Sequence, residues 1–145
     1  MPEALSGHEL AFLLRLGVCL VCGFLIGIER ESRHKPAGIS THCFVIAGAA
    51  MFTMISAAID PNSPARIAAQ VVSGVGFLGA GMIIKSTGDK IRNLTTAAAI
   101  WFAAGIGMAI GFGWYVIAGA ATLYAVVVPR IPHLKTWVKA EEEDE

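Results

Sequence analysis

Asn93-Leu-Thr-Thr-Ala-Ala-Ala-Ile-Trp-Phe-Ala-Ala-Gly-Ile-Gly-Met-Ala-Ile-Gly-Phe-Gly-Trp-Tyr-Val-Ile-Ala-Gly-Ala-Ala-Thr-Leu-Tyr-Ala-Val-Val-Val128 is a run of 36 residues without one charged side chain. A helix needs about 20 apolar residues to cross the ~30 Å hydrocarbon core of a bilayer. The run is too long for one ordinary crossing and suits two. Gly111-Phe-Gly-Trp-Tyr115 joins them, with glycines for the bend and aromatics for the interface. Three more apolar stretches precede it, so the whole chain takes lipid as its solvent. Hydrophobic residues make up 55% of the 145 and charged residues 15%, too little charge for a soluble domain of this size. A formal net charge of zero gives nucleic acid no electrostatic footing.

The apolar runs fall near residues 10–28, 42–59, 66–84, 95–110 and 114–128. The expected fold is an all-α membrane protein. A compact bundle of five transmembrane helices occupies residues 1–130, and residues 131–145 form a short tail ending in the carboxylates 141–145. Lys and Arg between the runs number 0, 3, 1, 3, 0 and 3 from the N-terminal segment to the tail. The positive-inside rule then places the first and third loops and the C-terminus in the cytoplasm, with the N-terminus outside. Acidic rather than basic residues precede the first run and no A-x-A site follows it, so it reads as a retained helix rather than a signal peptide.

Small residues mark where helices approach. In lipid, helices associate through close backbone contact and interhelical hydrogen bonds rather than through the hydrophobic effect. Gly23-Phe-Leu-Ile-Gly27 and Gly107-Met-Ala-Ile-Gly111 are small-xxx-small stripes, and Gly74, Gly76, Gly79 and Gly81 crowd the third run. Contacts within one chain and contacts between chains both fit them. Gly76-Phe-Leu-Gly79 also echoes Gly23-Phe-Leu-Ile-Gly27 as a weak parallel repeat. Cys19 and Cys22 form a C-x-x-C, but inside an apolar helix with no basic neighbour they read, with Cys43, as small packing residues.

The polar residues in or beside the apolar runs are the candidates for function. Arg15 lies about two turns from the outer end of the first helix; it either snorkels to the interface or turns inward to pair with Asp60. Ser63-Pro64 reads as an N-cap and first position of the third helix. Arg66 and Gln70 follow on one face, and Gln70 is expected to face other helices, as polar glue or lining an outer pocket. At the inner side, Glu29 and Arg30 close the first helix. Asn93, Thr95 and Thr96 open the fourth, where they either cap its N–H groups or, beside Arg92, hold an anion or an acidic side chain. Glu29 reaching the Asn93–Thr96 region is one specific expectation; an ordinary solvated interface is the other. His8, His34, His42 and His133 are scattered without metal-ligand spacing, and His34 and His42 read as interfacial. No metal site, no cofactor and no Ser/His/Asp or Cys/His set stands out, which argues against an enzyme.

Three segments in order carry a resemblance. Glu29-Arg-Glu-Ser-Arg-His-Lys-Pro-Ala-Gly-Ile-Ser-Thr-His42 resembles the first cytoplasmic loop of the MgtC/SapB (also SrpB/YhiD) family of bacterial inner-membrane proteins. Arg66-Ile-Ala-Ala-Gln-Val-Val-Ser-Gly-Val-Gly-Phe-Leu-Gly-Ala-Gly-Met-Ile83 resembles its third helix. Asn93-Leu-Thr-Thr-Ala-Ala98 resembles the start of its fourth, where the family often has Gly at the Asn93 position. The similarity covers roughly residues 10–130. It implies five transmembrane helices in the bacterial cytoplasmic membrane and a link to growth under magnesium limitation and, in some pathogens, to virulence. It also implies a transmembrane domain without the ACT-like C-terminal domain of longer members.

Two classes of function remain in competition. The first is a non-enzymatic regulator that binds another integral membrane protein or itself. The second is a small ion or solute transporter or channel acting as an oligomer. Mg²⁺ is the less suited cargo, because it wants carboxylate oxygens and no Asp or Glu lies near an expected helix centre.

Overall fold

Hydrocarbon offers the backbone no hydrogen bonds, so each apolar run closes its own. The helices are α1 (Gly7–Ser32), α2 (Ile39–Ile59), α3 (Ala65–Ile84), α4 (Leu94–Gly111) and α5 (Tyr115–Val127), the last continued by a 3-10 turn, Val128–Arg130. A computed structural model describes residues 7–63, 65–84 and 92–131, and no strand occurs among them. The acidic tail, Pro64 and the loop lysines Lys85 and Lys90 lie outside the described residues, as do the expectations placed on them. Among the described residues, three helices are long and apolar enough to cross a membrane: Glu9–Ser32 within α1, Ile39–Ile59 and Leu94–Gly111. The other two have shorter apolar stretches, Ala68–Ile83 and Tyr115–Arg130, each reaching about 24 Å at 1.5 Å per residue.

Two helix ends share one solution. After α4, Gly113 takes φ +82°. Its N–H bonds the Ile110 carbonyl at 2.9 Å and the Trp114 N–H bonds Ala109 at 2.8 Å. This is a Schellman cap with glycine at the left-handed position, and it makes Gly111–Tyr115 the turn that the sequence suggests. After α1, His34 fills the same role at φ +54°: His34 N–H reaches Glu31 O at 2.9 Å and Lys35 N–H reaches Arg30 O at 3.0 Å. The first helix therefore runs one turn past its apolar stretch, carrying Glu29, Arg30 and Glu31 within it rather than in a loop.

α2 and α4 form the centre. α1 packs on α2, α3 on α4 and α2, and α5 on α4 and α1. The glycines set these distances. A Cβ on Gly23 would meet Cys43 Cα at 2.7 Å, and one on Gly27 would land on the Ile39 backbone. Across the α2–α4 contact, Gly107 sits against the Ile46 carbonyl, and a Cβ on Gly111 would meet Thr53 Cβ at 2.6 Å. Four of the eight expected packing glycines thus bring backbones together inside the chain. Gly79 touches Ala97 more loosely, at 3.7 Å, whereas Gly74, Gly76 and Gly81 face open space. The repeat of Gly23–Gly27 at Gly76–Gly79 is consequently not a repeat of contacts.

One core cluster lies between α1, α2, α4 and α5, with Cys19, Ile26, Ile46, Ile106 and Ile110 at its heart. A smaller one, around Ile100, Ala104, Val71 and Val75, joins α3 to α4. The cysteines are free thiols, two of them fully packed. The outer surface is apolar as well: Phe77 is 82% and Val116 87% exposed. Such faces suit a bundle solvated by acyl chains.

Candidate functional site

The end of α1, the start of α2 and the start of α4 converge on a buried polar cluster. Glu29 and Arg30 are each 2% exposed, and His42 and Thr96 are fully buried. The Arg30 Nη2 donates to Thr96 Oγ1 at 3.0 Å, tying α1 to the first turn of α4. It is therefore Arg30, and not Glu29, that reaches the Asn93–Thr96 segment. Glu29 lies beside Arg33, with Oε1 3.8 Å from Arg33 Nε, and neither of its oxygens accepts a hydrogen bond. The solvated-interface reading of Glu29 fails on its burial. A carboxylate taken out of water without hydrogen bonds costs several kcal/mol, even near a cation, so this position is held by the tertiary structure against its own preference.

His42 is the residue that sequence reading missed. It is buried rather than interfacial, with Nδ1 2.9 Å from the Gly38 carbonyl. Its Nε2 has no partner. Glu31, also overlooked, accepts the Ile39 N–H at 2.9 Å and so caps α2, whose N-cap residue Gly38 has no side chain to do it. Spacing accounts only for the Gly38 contact, since Gly38 and His42 are one helical turn apart; the burial of the ring depends on the neighbouring helices.

Asn93 departs from expectation too. It starts α4 in the left-handed conformation, φ +63°, and its side chain makes no capping bond. A capping side chain needs extended backbone at that position to fold its oxygen back onto the first turn. Asn93 instead contributes its carbonyl, bonded by Ala97 N–H at 2.9 Å. The geometry is the one glycine adopts most freely. Thr95 is exposed beside it, and Thr96 serves Arg30 rather than a cap.

The candidates at the opposite end of the bundle do not join into one site. Arg15 does not pair with Asp60. Its Nη1 donates to the Gly111 carbonyl at 2.6 Å and its Nε to Tyr115 Oη at 3.3 Å. A cation at the C-terminus of α4 also meets the negative end of the helix dipole. Asp60 is occupied locally, its Oδ1 accepting Ser63 N–H at 3.1 Å. Arg66 and Gln70 are exposed. The buried side of α3 is Ala68, Val71, Val75 and Gly79, which leaves Gln70 exposed, in the lining of a groove that α3 forms with Phe44, Gly48 and Phe52 of α2. Among the described residues no group of His, Cys, Asp or Glu is placed to hold a metal ion.

Residues 16–134, which include all three sequence segments and the buried polar cluster, match one family model, that of the MgtC family. The chain belongs to the MgtC family. Protein MgtC of Salmonella typhimurium is 47% identical over 112 residues, covering 77% of this chain and 48% of its own length. Protein SapB of Bacillus subtilis is 44% identical over 125 residues, covering 79% of this chain and 53% of its own. Protein MgtC of Brucella abortus is 44% identical over 114 residues, covering 78% and 48%. The chain thus spans about half the length of these MgtC-family relatives. No solved structure matches it.

Proposed function

We propose that this MgtC-family chain is a non-enzymatic regulator in the bacterial cytoplasmic membrane, acting on another integral membrane protein during adaptation to low magnesium. In this reading the N-terminus lies outside and the C-terminus in the cytoplasm. The observation that carries it is the exposed face of α3. Gln70 is exposed and has no hydrogen-bond partner among the described residues. Gly74 and Gly81 share its face, and a Cβ on either would meet nothing within 4 Å. Gln70 and Gly74 line an apolar groove of about 490 Å³ between α2 and α3, floored by Ala49 and Val71. A carboxamide in hydrocarbon wants a partner, and small residues let a helix approach closely. The occupant that meets both needs is a transmembrane helix of a second protein offering a hydrogen-bonding side chain.

A transporter would need a polar path through the bundle. The described charged groups sit toward the two ends. Between them Cys19, Ile26, Ile46, Ile106 and Ile110 close the space, and mid-helix Thr122 gives its hydroxyl to the Ala118 carbonyl at 2.8 Å. A photo-crosslinking residue at Phe44, on the rim of the groove, is expected to trap one membrane protein in native membranes. The same probe at Leu14 is expected to trap none, and Gly74→Leu should abolish the adduct without unfolding the chain. Ion flux in liposomes that is lost with Gln70→Ala, with no adduct at Phe44, would replace this reading by the transporter.

A further inference from the structure

A second cavity, sharing no residue with the α2–α3 groove, opens where the end of α1 meets the start of α4 and the end of α5. It holds about 350 Å³, within the range of small-ligand sites. Its two ends differ in chemistry. Arg30, Arg33, Lys35 and Thr95 stand at one end; Phe102 and Tyr124 stand at the other, with Ala98, Ala125 and Val128 along the walls. Thr95 and Phe102 are seven residues apart on α4, so the apolar part runs about 10 Å along the helix axis. The two aromatic rings meet at 5.6 Å between centroids and form the apolar end.

Charge decides what fits. Three cations line the mouth and one carboxylate, Glu29, lies 3.8 Å from Arg33, which leaves an excess of positive charge. Arg30 is 2% exposed, and its Nε has no partner although Nη2 is held by Thr96. The exposed cations Arg33 and Lys35, beside Arg30 in the lining of an apolar cleft, call for an anion attached to a hydrocarbon. Free phosphate would leave the cleft empty, and an apolar helix would leave the cations unmatched.

We propose that this cleft binds one anionic phospholipid, its phosphate on Arg30, Arg33 and Lys35 and one acyl chain along Ala98 toward Phe102 and Tyr124. The site does not rest on the regulator reading, because it concerns a different face and a different ligand.

Native mass spectrometry of the full chain, released from micelles with phosphatidylglycerol or with phosphatidylcholine of the same acyl chains, tests it. The wild type is expected to retain one phosphatidylglycerol per chain, at least tenfold more tightly than phosphatidylcholine. Arg33→Gln with Lys35→Gln lies on the surface and should weaken retention roughly 30-fold, from about 1 kcal/mol per basic residue at an anionic surface and 1.4 kcal/mol per decade. Ala98→Trp keeps every charge but fills the cleft at an exposed position, and should weaken retention at least tenfold. Helicity and elution volume check that both variants fold. Equal retention of the two lipids overturns the proposal, as does competition by inorganic phosphate at equal concentration. So does an unaffected Ala98→Trp, which would leave only surface electrostatics. Retention that appears only after residues 141–145 are changed to uncharged amides would make the acidic tail the occupant, and a dimer without lipid would make it a second copy; either result also overturns it.

Discussion

Replacing Arg30 by Met should unfold this protein more readily than any other single change in the polar cluster. Two losses add. The Nη2–Thr96 bond of 3.0 Å disappears, and hydrogen bonds from charged groups contribute about 1.5–3 kcal/mol. Glu29, 2% exposed and without hydrogen bonds, then keeps only Arg33 at 3.8 Å, whose side chain is 40% exposed. That remaining pair is partly screened by solvent and is worth about 0–1 kcal/mol. Arg30 and Glu29 form no ion pair, but the Arg30 charge acts on Glu29 through space, and leaving a buried charge less compensated costs several kcal/mol. Arg30→Met is therefore expected to cost about 3–5 kcal/mol. Glu29→Gln removes a carboxylate that is desolvated and not hydrogen-bonded, so it should cost less than ~1 kcal/mol or stabilise. The double variant should recover at least ~1.5 kcal/mol of the Arg30→Met loss. Reversible unfolding by sodium dodecyl sulfate titration in mixed micelles, followed by circular dichroism, measures all three. Additivity within ~0.5 kcal/mol, the usual limit for independent sites, would refute the reasoning, as would a Glu29→Gln loss larger than that of Arg30→Met.

Gly107→Leu should cost at least ~2–3 kcal/mol by overpacking, because its Cβ lands on the Ile46 carbonyl. Gly105→Ala, with nothing within 4 Å, should instead gain up to about 1 kcal/mol from helix propensity; parallel unfolding curves compare them. Arg15→Met loses its bonds to the Gly111 carbonyl and Tyr115 and should cost about 1–2 kcal/mol, measured in the same titration. Asn93→Gly should stay within ~0.5 kcal/mol of wild type, since φ is +63° and no capping bond is lost. Asn93→Val should cost about 1–2 kcal/mol for a branched side chain in left-handed backbone, and hydrogen exchange of the first turn of α4 should rise with it.

The helices were legible because lipid leaves the backbone one option, and a run of apolar residues states its length directly. The α4–α5 turn was legible because Gly113 is the residue a left-handed cap prefers. The close contacts at Gly23, Gly27, Gly107 and Gly111 were legible as spacing, but Gly74, Gly76 and Gly81 have the same composition and face outward. Composition says that a backbone can be approached and not whether anything approaches it. The site divided in the same way. Arg30 and Thr96 were recognised as polar residues at the same membrane face, yet their partnership depends on how α1 and α4 cross. His42 was passed over because nothing local distinguishes a histidine at a solvated helix start from one sealed under a neighbouring helix.

By itself the sequence determined the solvent of this protein, the number and place of its helices, and the family to which its segments point. These follow from local and additive quantities: hydropathy, charge between runs, and the backbone preference of single residues. Tertiary structure alone decided that Glu29 and His42 are buried, that Arg15 holds the end of α4 instead of Asp60, and that Gln70 is left exposed. Each of those depends on the rotation of one helix against another. A helix that is apolar on every side carries no amphipathic stripe to fix that rotation, so the packing of the glycine-lined contacts fixes it instead.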